Sequence, residues 1–136
     1  MISEHLNGLK REEALKIAIL KLGAILLTSI PEELTDEDAL EFQNDLLEMV
    51  KKTNAQGAVI DITALQIVDS YMARVLNDTA RMLKLLGAQA VLCGMNPQVA
   101  LTLVEMGREL IGVQTALNLE HGVGVLYRLL DSEENL

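Results

Sequence analysis

Along this chain, short apolar runs bounded by glycine alternate with longer stretches in which apolar residues return every three or four positions. That alternation predicts strands and helices in turn. Leu15 to Leu22 and Ala24 to Ile30 are apolar runs parted at Gly23, and they predict a β-hairpin. Lys16 and Lys21 mark its first arm as an exposed or edge strand. Pro31, with no N–H for a ladder, ends the second. Thr35 is a helix cap, Asp36, Glu37 and Asp38 suit the positive end of the helix dipole, and Lys51 and Lys52 suit the far end. Between them Ala39, Phe42, Gln43, Leu46, Met49 and Val50 form the inward stripe.

Gly57 to Gly87 is the centre of the pattern. Ala58-Val59-Ile60, broken by Asp61 and resumed at Ile62, predicts a buried strand entered through glycine. Asp69 and Ser70 are both good N-caps for the helix that follows. Met72, Val75, Leu76, Thr79, Leu83 and Leu86 share one stripe of that helix, and Arg74, Asn77, Asp78, Arg81 and Lys84 share the other. Gly87 suits its C′ position. Ala88 to Cys93 predicts another strand, closed by Gly94, and Asn96-Pro97 starts a helix to about Gly107. Val113-Gln114-Thr115 reads as a short edge strand, and Asn118 caps a last helix with Leu119, Val123, Leu126 and Leu130 inward.

The elements alternate as in α/β folds, so the expected architecture is a mixed β-sheet of about five strands with about four packed helices. The pattern divides the chain into an N-terminal arm at residues 1–14, a single domain at 15–131, and a loose tail at 132–136. At 136 residues one core is expected. A net charge of −9 and 2% aromatic residues argue against nucleic acid and against an anionic membrane surface, leaving a protein partner. No apolar run approaches the roughly 20 residues of a membrane span. The charged N-terminus does not read as a signal peptide, and the single cysteine suits a reducing compartment, so a cytoplasmic location is expected.

Candidate chemistry is sparse. His5 and His121 stand apart from other ligand types, so no metal site is expected. No phosphate loop or nucleophile elbow is present: Gly122-Val123-Gly124 falls inside a helical pattern. Cys93 reads as a buried structural residue. Asp61 reads as a strand-end carboxylate capping the loop that follows it. No acid, base and nucleophile assemble, and neither an enzyme nor a cofactor is expected. By pattern alone, Ser70 is an ordinary helix-start serine.

A resemblance adds to this. Val59 to Thr63, followed by Val68-Asp69-Ser70 opening a helix, resembles the phosphorylation segment of STAS domains, the family of bacterial anti-sigma-factor antagonists. Ala39 to Leu47, Thr102 to Gly107 and Thr115 to Glu120 are similar to further family segments, in the same order, so the likeness spans about residues 16–130. Tyr71-Met72-Ala73-Arg74 after the serine looks like the RsbS-type stressosome scaffold branch, whereas sporulation-type antagonists have small, glycine-containing residues there.

The resemblance implies a STAS-like fold and a non-catalytic phospho-switch. Ser70 is the implied phosphate acceptor, with Asp61 and Asp69 supporting the site. Thr102 matches a second phosphorylatable position and is expected on a polar face with Gln98, Glu105 and Glu109. The implied partners are an RsbT-like serine/threonine switch kinase, a sensor STAS paralogue in a large homo- or hetero-oligomeric assembly, and a phosphatase. Two alternatives stay open: a simple antagonist pairing one-to-one with its anti-sigma kinase, and a small-ligand-binding α/β domain using Asp61 and Ser70.

Overall fold

The structure is a computed structural model and describes residues 16–107 and 113–134. The expectations placed on the N-terminal arm at 1–14, on His5, on Glu109 and on residues 135–136 lie outside these. Strands β1 (Ile19–Leu22) and β2 (Ile25–Ser29) form the predicted hairpin, followed by helix α1 (Asp36–Thr53) and strand β3 (Gly57–Asp61). Helix α2 (Ser70–Leu85), strand β4 (Gln89–Cys93), helix α3 (Pro97–Glu105), strand β5 (Gln114–Ala116) and helix α4 (Leu119–Glu134) complete the order.

The five strands lie side by side in chain order, with β1 antiparallel to β2 and each later strand parallel to its predecessor. Parallel crossovers have one hand, so a sheet that grows in one direction carries its connecting helices on one face. The core follows that rule. Ala58, Ile60 and Leu92 meet Phe42 and Leu46 of α1, Leu76 and Leu83 of α2, and Val99 and Leu103 of α3. The alternate strand positions Ile25, Val59, Val91 and Cys93 point to the opposite face, where Leu126 and Leu130 of α4 cover them.

The helix starts follow from local chemistry. Thr35 and Asp38 form a reciprocal capping box on α1, each side chain accepting the other's N–H at 3.1 Å. Between α1 and α2, Gln43 Nε2 donates to Thr79 Oγ1 at 2.9 Å, and that hydroxyl donates to the Val75 carbonyl, so two buried polar side chains satisfy each other.

Four expectations need correction. Leu86 is 52% exposed, because α2 ends at Leu85 and the chain leaves the inward stripe there. Leu119 is 37% exposed, because α4 first meets the sheet at Gly122, three residues further on. Residues 132–134, expected in a loose tail, continue α4 as far as Glu134. The last strand runs one residue later than the pattern placed it.

Candidate functional site

At the carboxyl end of β3, Asp61 is partly buried, and its carboxylate turns back onto its own loop. Oδ1 accepts from the Thr63 backbone N–H at 3.0 Å and from the Thr63 hydroxyl. This is the loop cap expected of a strand-end aspartate. The backbone at Gly94, at the end of β4, lies hard against the same turn. A Cβ there would collide with the Thr63 hydroxyl and lie 2.9 Å from Asp61 Oδ1, so only glycine lets the two loops close. The Ile62 N–H donates to the Cys93 carbonyl at 2.9 Å and carries strand pairing one step past β3.

The loop at 62–69 is held from below. Leu65 and Val68 are 3% and 2% exposed, while Ile67 between them is 81% exposed. Leu65 N–H donates to the Ile62 carbonyl, and the Leu65 carbonyl accepts from Asn96 Nδ2 at 3.0 Å. The chain then enters α2. Asp69 is the N-cap, its Oδ1 accepting from the Met72 N–H at 2.8 Å, and Ser70 is the first helical residue, exposed to solvent. Capping therefore falls to Asp69 and leaves Ser70 at the dipole's positive end without that structural duty. The structure brings Asp69 and Ser70 together. Asp61 is bonded to Thr63 of its own loop.

Thr102 departs from its expected setting. It is half-buried and its hydroxyl donates to the Gln98 carbonyl at 3.0 Å. Gln98 and Glu105 are exposed as expected, but so are Leu101 at 51% and Val104 at 61%, so α3 has no purely polar outer face. Cys93 is fully buried under α4, and burial, with the nearby Asp61 charge second, pushes its thiol up to about 11. That is the opposite of the lowering a nucleophilic thiolate requires. Exposed His121 serves α4 locally, its Nδ1 accepting from the Leu117 N–H at 3.1 Å.

The small-ligand alternative gains nothing from the cavities. A groove of about 890 Å³ lies between the chain at 16–19 and α1, lined by Ile17, Ile19 and Met49 with charged residues at its rim. A cleft of about 350 Å³ lies between α3, β5 and the start of α4. Asp61 and Ser70 line neither. Among the described residues no three His, Cys, Asp or Glu side chains gather to hold a metal, and no helix is long and apolar enough to cross a membrane.

Two features of this end of the molecule escape sequence reasoning. Ile67 carries an apolar side chain into solvent three residues before Ser70, and no local signal in the sequence marks it as exposed. Asn96 reads only as a helix cap, and nothing local announces its second bond, to Leu65.

Comparison with known proteins agrees with this fold. The STAS domain model matches residues 16–120. The RsbT co-antagonist protein RsbRA of Bacillus subtilis is 31% identical over 124 residues, covering 85% of this chain and 45% of its own length. The chain thus spans just under half of that relative. A solved serine-to-glutamate variant of Moorella thermoacetica RsbS is 40% identical, with a TM-score of 0.78, over 85% of this chain and 97% of its own. A chain from the molecular architecture of the stressosome, a signal integration and transduction hub, is 42% identical, with a TM-score of 0.75, over 83% of this chain and 98% of its own. With a one-sided set of crossover helices, a capped loop after β3 and these relatives in hand, the chain belongs to the STAS domain family.

Proposed function

We propose that this protein is a non-catalytic phospho-switch scaffold of a bacterial stress-signalling complex. It holds an RsbT-like serine/threonine switch kinase until that kinase phosphorylates Ser70, and a phosphatase resets the site. The observation that carries the reading is the division of labour at the start of α2: Asp69 caps the helix and Ser70 stands exposed beside it. Similarity to a protein named as an RsbT co-antagonist and to a stressosome chain supports a kinase of that type and co-assembly with a sensor STAS paralogue.

The energetics favour a switch of surface, not of fold. Phosphorylation adds about −1.5 to −2 charge and three acceptor oxygens. The N-terminus of α2 favours an anion by about 0.3–1 kcal/mol. Repulsion from Asp69 opposes it by about 1 kcal/mol in a water-like setting. These nearly cancel, so the modified domain stays folded while the charge seen by the kinase changes. Ile67, exposed beside the serine, supplies an apolar contact whose burial by a partner would add to affinity.

Incubation with a switch kinase and ATP, followed by phosphosite mapping, tests this. Label is expected on Ser70 and absent from Ser70→Ala, which should bind the kinase and never release it. Ser70→Asp should weaken binding, though one carboxylate mimics a dianion poorly. Label that persists on Ser70→Ala moves the acceptor to Thr102, and label that persists after loss of both residues sinks the phospho-switch. Size-exclusion with paralogue and kinase then separates a megadalton scaffold from a one-to-one antagonist.

A further inference from the structure

Asn96 serves two elements with one amide. Its Oδ1 accepts from the Val99 N–H at 2.8 Å and caps α3, while its Nδ2 donates to the Leu65 carbonyl at 3.0 Å, 31 residues away in sequence. The two bonds fix which end of the amide is which, since an N–H requires the oxygen and a carbonyl requires the nitrogen. Capping alone needs no nitrogen: aspartate or serine caps a helix as well as asparagine does. What asparagine adds at this position is the donor to Leu65. That bond acts midway along the loop, between the buried side chains of Leu65 and Val68 and the exposed residues Gln66 and Ile67. The next hydrogen bonds along the chain are those at Asp69, which opens α2.

We propose that Asn96 is a positioning residue for the phosphorylation of Ser70, acting through the Leu65 carbonyl to hold the 62–69 loop in one conformation. This rests on the phospho-switch reading above. In the transfer, Ser70 Oγ bonds to the γ-phosphorus of ATP, the bond from that phosphorus to the bridging oxygen breaks, and ADP leaves. The hydroxyl proton passes to a base supplied by the kinase. The acceptor protein contributes the placement of one oxygen, and such in-line transfer is sensitive to displacements of about 1 Å, which cost up to about 100-fold. A loop pinned at Leu65 and capped at Asp69 keeps Ser70 and Ile67 in fixed relation to each other, and releasing the first pin lets the loop wander while α2 stays capped.

Asn96→Asp and Asn96→Ser test the role, because both keep an oxygen for the Val99 N–H, while aspartate has no donor for the Leu65 carbonyl and the serine hydroxyl stops one bond short of the amide nitrogen that reaches it. Initial rates of Ser70 phosphorylation are measured with a switch kinase and ATP across a range of full-length protein concentrations. The maximal rate is expected to fall about tenfold in both variants, with KM within about twofold of wild type. Amide hydrogen exchange should quicken at residues 66–70 and stay unchanged through α3. Wild-type maximal rates in both variants would overturn the proposal, as would a loss carried by KM alone or accompanied by faster exchange across α3. If wild-type protein takes no phosphate on Ser70, the phospho-switch reading itself fails and this role falls with it. That outcome is told apart because it appears before any variant is made.

Discussion

The two faces of the sheet are built differently. On one, α1, α2 and α3 interlock over Leu26, Ala58, Ile60 and Leu92, and the polar pair Gln43–Thr79 is sealed between two of the helices. On the other, α4 is the one helix among the described residues that covers Ile25, Val59, Val91 and Cys93. The three-helix face also carries the site: α2 starts at Ser70, α3 starts just after Asn96, and the loop between β3 and α2 is anchored in the same core by Leu65 and Val68. The one-helix face instead relies on close approach. A Cβ at Gly122 of α4 would lie 2.9 Å from Val59 Cγ1 and 3.4 Å from Cys93 Cβ, so glycine lets the helix sit down on the sheet. A multi-helix core holds a loop in place from several sides, whereas a single helix gains its hold from proximity.

The largest expected effects compare the two cores directly. Leu83→Ala and Leu126→Ala each remove a side chain that is 0% exposed, and such truncations cost about 2–5 kcal/mol. Leu83 should fall near the top of that range, since helices on several sides prevent collapse into the cavity, and Leu126 near the bottom, since α4 can shift. Chemical denaturation measures both, and the reverse order would break the comparison.

Next comes the closeness of α4. Gly122→Val should destabilise by about 1–3 kcal/mol, because stiff, buried Val59 has nowhere to move. Gly124, two residues on, faces open space, so Gly124→Ala should stabilise by about 0.5–1 kcal/mol through helix propensity. Equal effects at the two glycines would show that contact with the sheet does not set the cost.

Cys93 reports on the same face through pH. Its thiol is raised from 9.0 to about 11, chiefly by burial, so the folded protein keeps a proton that the unfolded chain gives up. Stability from this group is therefore complete below about pH 9 and declines as pH rises towards 11. Cys93→Ala should flatten that decline in urea titrations. In native wild type at neutral pH, thiol reagents should react slowly and only as fast as α4 opens.

The smallest effect belongs to the site. Ser70→Ala should change thermal stability by less than about 1 kcal/mol, because Asp69 keeps the cap. A larger loss would mean that Ser70 carries structure as well as signal.

Much of this was legible in the chain. Thr35, Asp69, Asn96 and Asn118 each cap a helix through a bond reaching three residues, and the strands announce themselves by period and by glycine ends. Family membership was legible in the order of short segments, and so was Ser70 at a helix start. Signals of this kind lie within one turn or one strand, where sequence spacing and spatial spacing are nearly the same thing.

What the tertiary structure alone decided depends on residues far apart in the chain. Asn96 meets Leu65 across 31 positions, Gly94 closes on Thr63, and Gly122 closes on Val59. Ile67 is exposed because its neighbours Leu65 and Val68 take the inward places, and Thr102 is half-buried although its spacing suggested an open polar face. Periodicity says that a residue has a face; it does not say what will lie against that face. That is settled only when crossovers of one hand stack α1, α2 and α3 on one side of the sheet and α4 packs against the other.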